Sequence, residues 1–179
     1  MTQFFSYAAL PLYKYALKLL GTPTWAEDAV QATFTQLIQY FDHIRTFDND
    51  RFLAYARKVL LHQCAAIAKQ QDTFAATENV GQNEPDHSEP IIDFVERQAT
   101  REEIRLCIKK LSPRYRMILY LKYFENRSNE EICSLMGLKE SNARTLLTRA
   151  RAQLKQIYSR DILDKKPNTV ATAPTQKNR

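Results

Sequence analysis

A chain of 179 residues with only three glycines and 44% hydrophobic side chains has room for one ordinary domain or two small helical ones, each with a modest core. Its formal charge of +6 suits a polyanionic partner without demanding one. No apolar run approaches the roughly 18 residues of a membrane span, the N-terminus lacks a signal-peptide pattern, and strand signals are scarce beside recurring 3.6-residue stripes. The class expected is therefore all-α, with no membrane insertion and a cytoplasmic location. Charge is unevenly spread: +2 over residues 1–70, −6 over 71–100, +7 over 101–158 and +3 over 159–179. Two basic bodies flank an acidic connector. Cys64, Cys107 and Cys133 are far apart and odd in number, so they read as buried thiols rather than as a disulfide or metal set.

Three helices in series are expected in the first half. Leu12, Tyr15, Ala16, Leu19 and Leu20 form a stripe that ends at Gly21. Thr24 and Glu27 have the spacing of a capping box, and Val30, Phe34, Leu37, Ile38 and Phe41 form the stripe that follows. After a polar stretch from Asp42 to Asp50, a third helix turns Phe52, Tyr55, Ala56, Val59, Leu60 and Ile67 inward. Residues 1–70 thus make a first domain. The acid-rich segment 71–89, with Gly81 and Pro85 and no sustained period, reads as a flexible linker.

The second domain, 90–159, opens near Pro90 with a helix carrying Ile104, Cys107, Ile108 and Leu111. Ser112 and Pro113 start the next helix, with Met117, Ile118, Leu121 and Phe124 inward. Ser128 and Glu131 then form a capping box for a helix burying Ile132, Leu135 and Met136, and Gly137 stops it. The last helix restarts around Glu140 with an apolar stripe of Ala143, Leu147, Ala150, Leu154 and Ile157. Residues 160–179 read as a disordered tail.

Two short helices around a glycine turn, the second rich in arginine, have the layout of a DNA-reading helix-turn-helix. Lys139, Ser141, Asn142, Arg144, Thr145, Thr148 and Arg149 lie largely off the apolar stripe, as does Arg151, and so can face base edges and phosphates. A helical hairpin with an ordinary solvated basic face is the bland alternative. An enzyme would need converging polar chemistry. His43, His62 and His87 instead fall on a loop, a helix and the linker without metal-ligand spacing, so no catalytic residue, metal or cofactor is expected. A stand-alone dimeric helix-turn-helix regulator would need a dimer interface, which no sustained heptad supplies, and would leave the first half unexplained.

The stretch LSPRYRMILYLKYFENRSNEEICSLMGLKESNARTLLTRARAQL resembles the fourth conserved region of the small bacterial sigma factors of the extracytoplasmic-function group. LYKYALKLLG with AEDAVQATF, and then FLAYARKVLLHQ, resemble that family's clamp-docking region and the start of its minus-ten helix. The resemblance covers roughly residues 10–70 and 100–157. It implies that the chain binds core RNA polymerase and directs initiation at promoter DNA. Glu27, Asp28, Gln31 and Thr35 would meet the clamp of the β′ subunit, although by themselves they read as a solvated helix surface. His43, Arg45, Asn49, Arg51, Lys58 and His62 would serve the minus-ten element, where the Asp42–Asp50 loop could reward a splayed base. The helix-turn-helix would read the minus-thirty-five element near the β flap. An anti-sigma factor is a further implied partner, and the acidic linker is either an RNA-like thread through the exit channel or a plain solubilising segment. The sequence departs from the family at Leu146, where relatives often carry a basic residue, at Ala32, where they carry an acid, and at Tyr55, where they carry tryptophan; residues 65–71 are poorer in arginine.

Overall fold

A computed structural model describes residues 2–75 and 101–163, and among them there are helices and no strands. The linker beyond Ala75 and the start at Pro90 lie outside the described residues. In chain order the helices are α1 (Thr2–Leu20), α2 (Pro23–Gln39), the short α3 (Phe41–Ile44), α4 (Asn49–Ala75), α5 (Arg101–Ile108), α6 (Pro113–Tyr123), α7 (Asn129–Met136) and α8 (Glu140–Tyr158). A π-helical turn at Ser159–Leu163 closes α8.

The first half is a three-helix core in which α1, α2 and α4 pack on one another. All of the α1 stripe is buried, and so is Ala8, because the helix runs back through Pro11 to Thr2. Proline in a helix interior normally ends it. On α2 the inward face differs from the expected stripe. Ala26, Ala29, Thr33 and Leu37 are buried, whereas Ile38 is 53% exposed. Small residues let neighbouring helices approach closely, and the buried Thr33 hydroxyl is satisfied by donating to the Ala29 carbonyl at 2.7 Å. The expected Thr24–Glu27 box does not start this helix. Thr22 is the N-cap, without a side-chain hydrogen bond, and Pro23 occupies the first turn, where its missing N–H costs nothing. Helix α4 runs five residues into the segment read as linker, to Ala75.

In the second half α5, α6 and α7 pack against α8. Ser112 caps α6 by accepting from the Tyr115 amide at 3.4 Å. The Ser128–Glu131 box is complete: Ser128 Oγ accepts from the Glu131 amide at 3.1 Å and Glu131 Oε2 from the Ser128 amide at 2.9 Å. Gly137 takes the left-handed conformation at φ 61°, ending α7 as glycine readily does. Residues 160–163, read as tail, are helical, and the rest of that segment lies outside the described residues. Asp161 accepts from Lys110 Nζ at 2.7 Å and from Arg160 Nε at 3.1 Å, tying the π turn back to the end of α5.

Arg116 on α6 is an organising residue that no periodic pattern announces. Its side chain is buried, its Nε donates to the Ile108 carbonyl at 3.2 Å, and its Nη2 donates to the carbonyls of Lys109 (2.7 Å) and Leu111 (3.0 Å). These carbonyls lie at and just beyond the C-terminus of α5, where helical N–H donors run out; that of Ile108 also accepts from the Leu111 amide at 3.1 Å. A cation at a helix C-terminus also meets the negative end of the dipole. Desolvation lowers the Arg116 pKa, but an arginine stays charged. Arg116→Met should lower unfolding stability by roughly 2–3 kcal/mol, as expected for lost charged hydrogen bonds, and shift the urea midpoint without changing its slope.

The Asp161 tether adds a pH dependence. Its hydrogen bonds from Lys110 and Arg160 hold the carboxyl down to about 2. Folded-state affinity for the proton is therefore below that of the unfolded chain, so the tether's stabilisation is full above the ordinary range of about 4 and is lost as pH falls toward the folded value. An NMR carboxyl titration should place Asp161 below the ordinary aspartate range, and Asp161→Asn should remove this acid-side component of unfolding.

Candidate nucleic-acid interface

Helix α8 presents two faces. Ala143, Leu146, Ala150, Leu154, Ile157 and Tyr158 are buried against the rest of the second half. Leu146 thus belongs to the core, with Leu147 only half-buried at its edge; the residue at this departure from the family is a packing residue and could not have pointed at phosphate. Opposite lie Lys139, Ser141, Asn142, Arg144, Thr145 and Arg149, all exposed, with Thr148 half-buried beside them. Glu140 pairs with Arg144 at 3.1 Å on an open surface, a contact weak enough to be exchanged for phosphate. The Thr145 hydroxyl donates to the Ser141 carbonyl at 3.0 Å, which fixes it with its lone pairs outward. Arg151 does not join this face: its Nε donates to the Tyr123 hydroxyl at 2.8 Å and braces α8 against α6.

A second surface surrounds the α3–α4 connection. Ile44 and Phe47 are buried and pin the loop. His43 meets Phe47 edge-on at 5.6 Å, Tyr55 does so at 5.9 Å, and the Arg51 guanidinium lies 4.2 Å over the same ring. Asp48 accepts from the Arg51 amide at 2.7 Å and so caps α4. One aromatic ring therefore gathers His43 and Arg51 with Tyr55, and Arg45 in the loop and Asn49 at the start of α4 are both exposed. Lys58 and His62 are also exposed, and at seven and eleven residues beyond Arg51 they continue one face of α4 for about 16 Å. The role of Phe47 was not anticipated, although an apolar residue in an otherwise polar loop is the available signal.

The third surface lies on α2. Glu27, Asp28, Gln31 and Thr35 are exposed, and all but Glu27 line a shallow groove with Ala32, Gln36 and Gln39. Gln36 is held from behind by Gln63, whose Nε2 donates to it at 2.9 Å. Gln36 and Gln39 were missed, yet they follow Asp28 and Gln31 at helical spacing. Among the described residues no group of three or more potential metal ligands occurs, and no helix is long and apolar enough to cross a membrane.

If α8 reads DNA through its exposed face, Arg144→Ala and Arg149→Ala should each reduce the salt slope of DNA binding by close to one unit for a phosphate contact, or cost about 1–3 kcal/mol of base discrimination. Ala143→Glu, which puts an unpaired carboxylate in the core, should instead lose helical signal in circular dichroism.

Comparison with known proteins joins these surfaces. Residues 5–73 match the family model for sigma-70 region 2, and residues 101–154 match the model for sigma-70, region 4. The chain is 26% identical over 153 residues to the RNA polymerase sigma-E factor of Streptomyces coelicolor, covering 84% of this chain and 82% of that protein. It is 25% identical over 165 residues to the ECF RNA polymerase sigma factor SigM of Bacillus subtilis, covering 86% and 91%. Among solved structures, the sigma factor RpoE, in complex with the anti-sigma factor NepR from Bartonella quintana, superposes with a TM-score of 0.48 at 17% identity, over 89% of this chain and 97% of that one. Carrying region 2 and region 4 in order on one chain, and matching its relatives along most of their length, the protein belongs to the extracytoplasmic-function group of sigma-70-type RNA polymerase sigma factors, which direct promoter-specific transcription initiation.

Proposed function

We propose that the three surfaces divide the labour of a sigma factor. The α2 groove, with Asp28, Gln31 and Thr35 and with Glu27 at its margin, docks on the β′ clamp of core RNA polymerase. The loop around Phe47 and the α4 face carrying Arg51, Lys58 and His62 engage the minus-ten element, with His43, Arg45 and Asn49 at the splayed base. Lys139, Ser141, Asn142, Arg144, Thr145, Thr148 and Arg149 read the minus-thirty-five element beside the β flap. The functional boundary between residues 1–70 and 90–159 falls in the acidic linker. The protein acts by binding, in the cytoplasm, without a catalytic step of its own, and an anti-sigma factor is its expected antagonist.

The observation that carries this reading is the separation of faces: each candidate set lies on the polar, exposed side of an element whose other side is core. A stand-alone regulator would leave the α2 groove and the α4 face without a role. Run-off transcription with purified core enzyme and selected promoter DNA tests the reading, and the protein should confer initiation at a defined site. DNA binding as a free dimer with no association to core enzyme would overturn it.

Docking can be separated from DNA reading. Asp28 and Gln31 are exposed and a turn apart, so replacing them should leave helical content and thermal midpoint nearly unchanged. In a pull-down titration, Asp28→Arg with Gln31→Ala should weaken core binding at least tenfold, about 1.4 kcal/mol, by turning attraction to clamp cations into repulsion. Equal affinity would place the docking face elsewhere.

A further inference from the structure

Helix α8 carries one acid among its 19 residues, Glu140, against Arg144, Arg149, Arg151 and Lys155. It stands in the first turn, the part of a recognition helix that contacts base edges in the major groove. A carboxylate there is repelled by the phosphates on both sides of the groove. The ordinary use of a first-turn acid is structural, and α7 shows it: Glu131 accepts from the Ser128 amide at 2.9 Å and from Arg127 at 3.0 Å, closing the capping box. Glu140 closes no box. Lys139, the N-cap of α8, makes no side-chain cap bond, and among the described residues the Glu140 carboxylate accepts only from Arg144, through Oε1 at 3.1 Å.

The pair is open to a ligand. Glu140 is 70% and Arg144 78% exposed, Oε2 of the carboxylate is unspent, and only Nη2 of the guanidinium is engaged. The two polar heads sit 3.1 Å apart, close to the rise of about 3.4 Å between neighbouring base pairs. Abreast at that spacing they match two adjacent base edges. A guanidinium suits the O6 and N7 acceptors of guanine, and a carboxylate suits the N4 amino donor of cytosine. Lys139, Ser141, Asn142, Arg144, Thr145, Thr148 and Arg149 all carry donors, so Glu140 is the one pure acceptor on this face.

We propose that Glu140 is a specificity-determining residue that, with Arg144, forms a base-reading pair selecting a cytosine next to a guanine in the minus-thirty-five element. The inference rests on the assignment of α8 as the reader of that element. Arg144 neutralises the carboxylate as it enters the groove, and the i,i+4 pairing holds both side chains on one side of the helix. Repulsion from phosphate falls on every DNA sequence, whereas the bond to a cytosine amino group is made only where cytosine is present. An unfavourable charge thereby raises selectivity by weakening the wrong sites more than the right one.

The test uses the full chain with core enzyme and promoter DNA randomised across the minus-thirty-five element, the bound fragments being sequenced. Wild type should enrich cytosine at one position beside a preferred guanine. Glu140→Ala should lower that cytosine preference roughly fivefold or more, and Arg144→Ala should remove the guanine preference beside it. Glu140→Gln keeps the length and adds a donor, so it should shift the same position toward adenine, whose N7 and N6 suit an amide. Should Glu140→Ala fail to fold, Glu140→Gln decides alone. An acid that only supports the helix start would lower the thermal midpoint when replaced and leave the base profile as it was. An unchanged profile in the Glu140 variants therefore overturns the proposal, as does the absence of any cytosine preference in wild type. A salt slope steeper by close to one unit with the profile unchanged also overturns it, since that marks an acid that merely keeps Arg144 off phosphate. If wild type enriches no base in the element and Arg149→Ala changes nothing, the assignment of α8 itself falls, and this inference with it.

Discussion

Everything in the second half hangs on α6, an eleven-residue helix that is buried on more than one side. Arg116, Met117, Ile118, Leu119 and Leu121 are all inaccessible, so there is no solvated face opposite Met117. A helix in that position must have neighbours all round, and α6 has α8 on one flank and α1 and α4 on the other. Its apolar side chains bind the helix-turn-helix to its support, and Arg116 captures the carbonyls that α5 leaves open. A polar group buried this deeply is tolerated because its Nε and Nη2 find backbone acceptors at and beyond the end of α5. Packing, helix termination and inter-half contact thus converge on a single short element.

Much of this was legible in the sequence because the relevant signals are local. The Ser128–Glu131 box, the Ser112–Pro113 start, the stop at Gly137 and the α1 stripe each need only a few residues of context, and all are present in the structure. What was not legible depends on partners distant in sequence. The α2 face is set by how closely α1 and α4 approach, which favours Ala26, Ala29 and Thr33 over the larger Val30 and Phe34. Phe124 fits the α6 stripe by spacing, yet it is 53% exposed, because the chain has already left the helix. Leu146 and Leu147 are adjacent leucines, and periodicity alone does not choose between them; the structure buries the first. Arg116 was invisible because its role is to satisfy acceptors on another helix. Most of the candidate contacts were readable as faces, whereas Phe47, Gln36 and Gln39 became apparent only when the loop and groove were assembled.

The cysteines illustrate the same dependence on environment. Cys64 and Cys107 are buried, and desolvation pushes the Cys64 thiol up to about 12, far from the thiolate that redox or metal chemistry needs. Cys133 is half-buried on α7, its partial exposure set by the edge of the helix-turn-helix and not by anything in its own neighbourhood of sequence. All three are free. They act as small apolar fillers in this fold.

The candidate surfaces share one design constraint, which is that a flexible polymer or a mobile partner must be met by groups that are already placed. Around the α3–α4 connection this is achieved with an aromatic anchor. Phe47 is buried enough to be fixed, yet its faces and edges still hold His43, Tyr55 and Arg51 in set positions. Long cationic side chains lose much rotamer freedom when they bind, and a ring that restrains Arg51 beforehand lowers that cost. On the exposed face of α8 the same end is reached by backbone and side-chain hydrogen bonds: Thr145 is tied to Ser141, and Arg144 rests on Glu140. The two solutions differ in where the brace comes from. Thr145 and Arg144 are held by residues one turn back on their own helix, whereas Arg51, in the first turn of α4, has no earlier turn behind it and rests on Phe47 in the preceding loop.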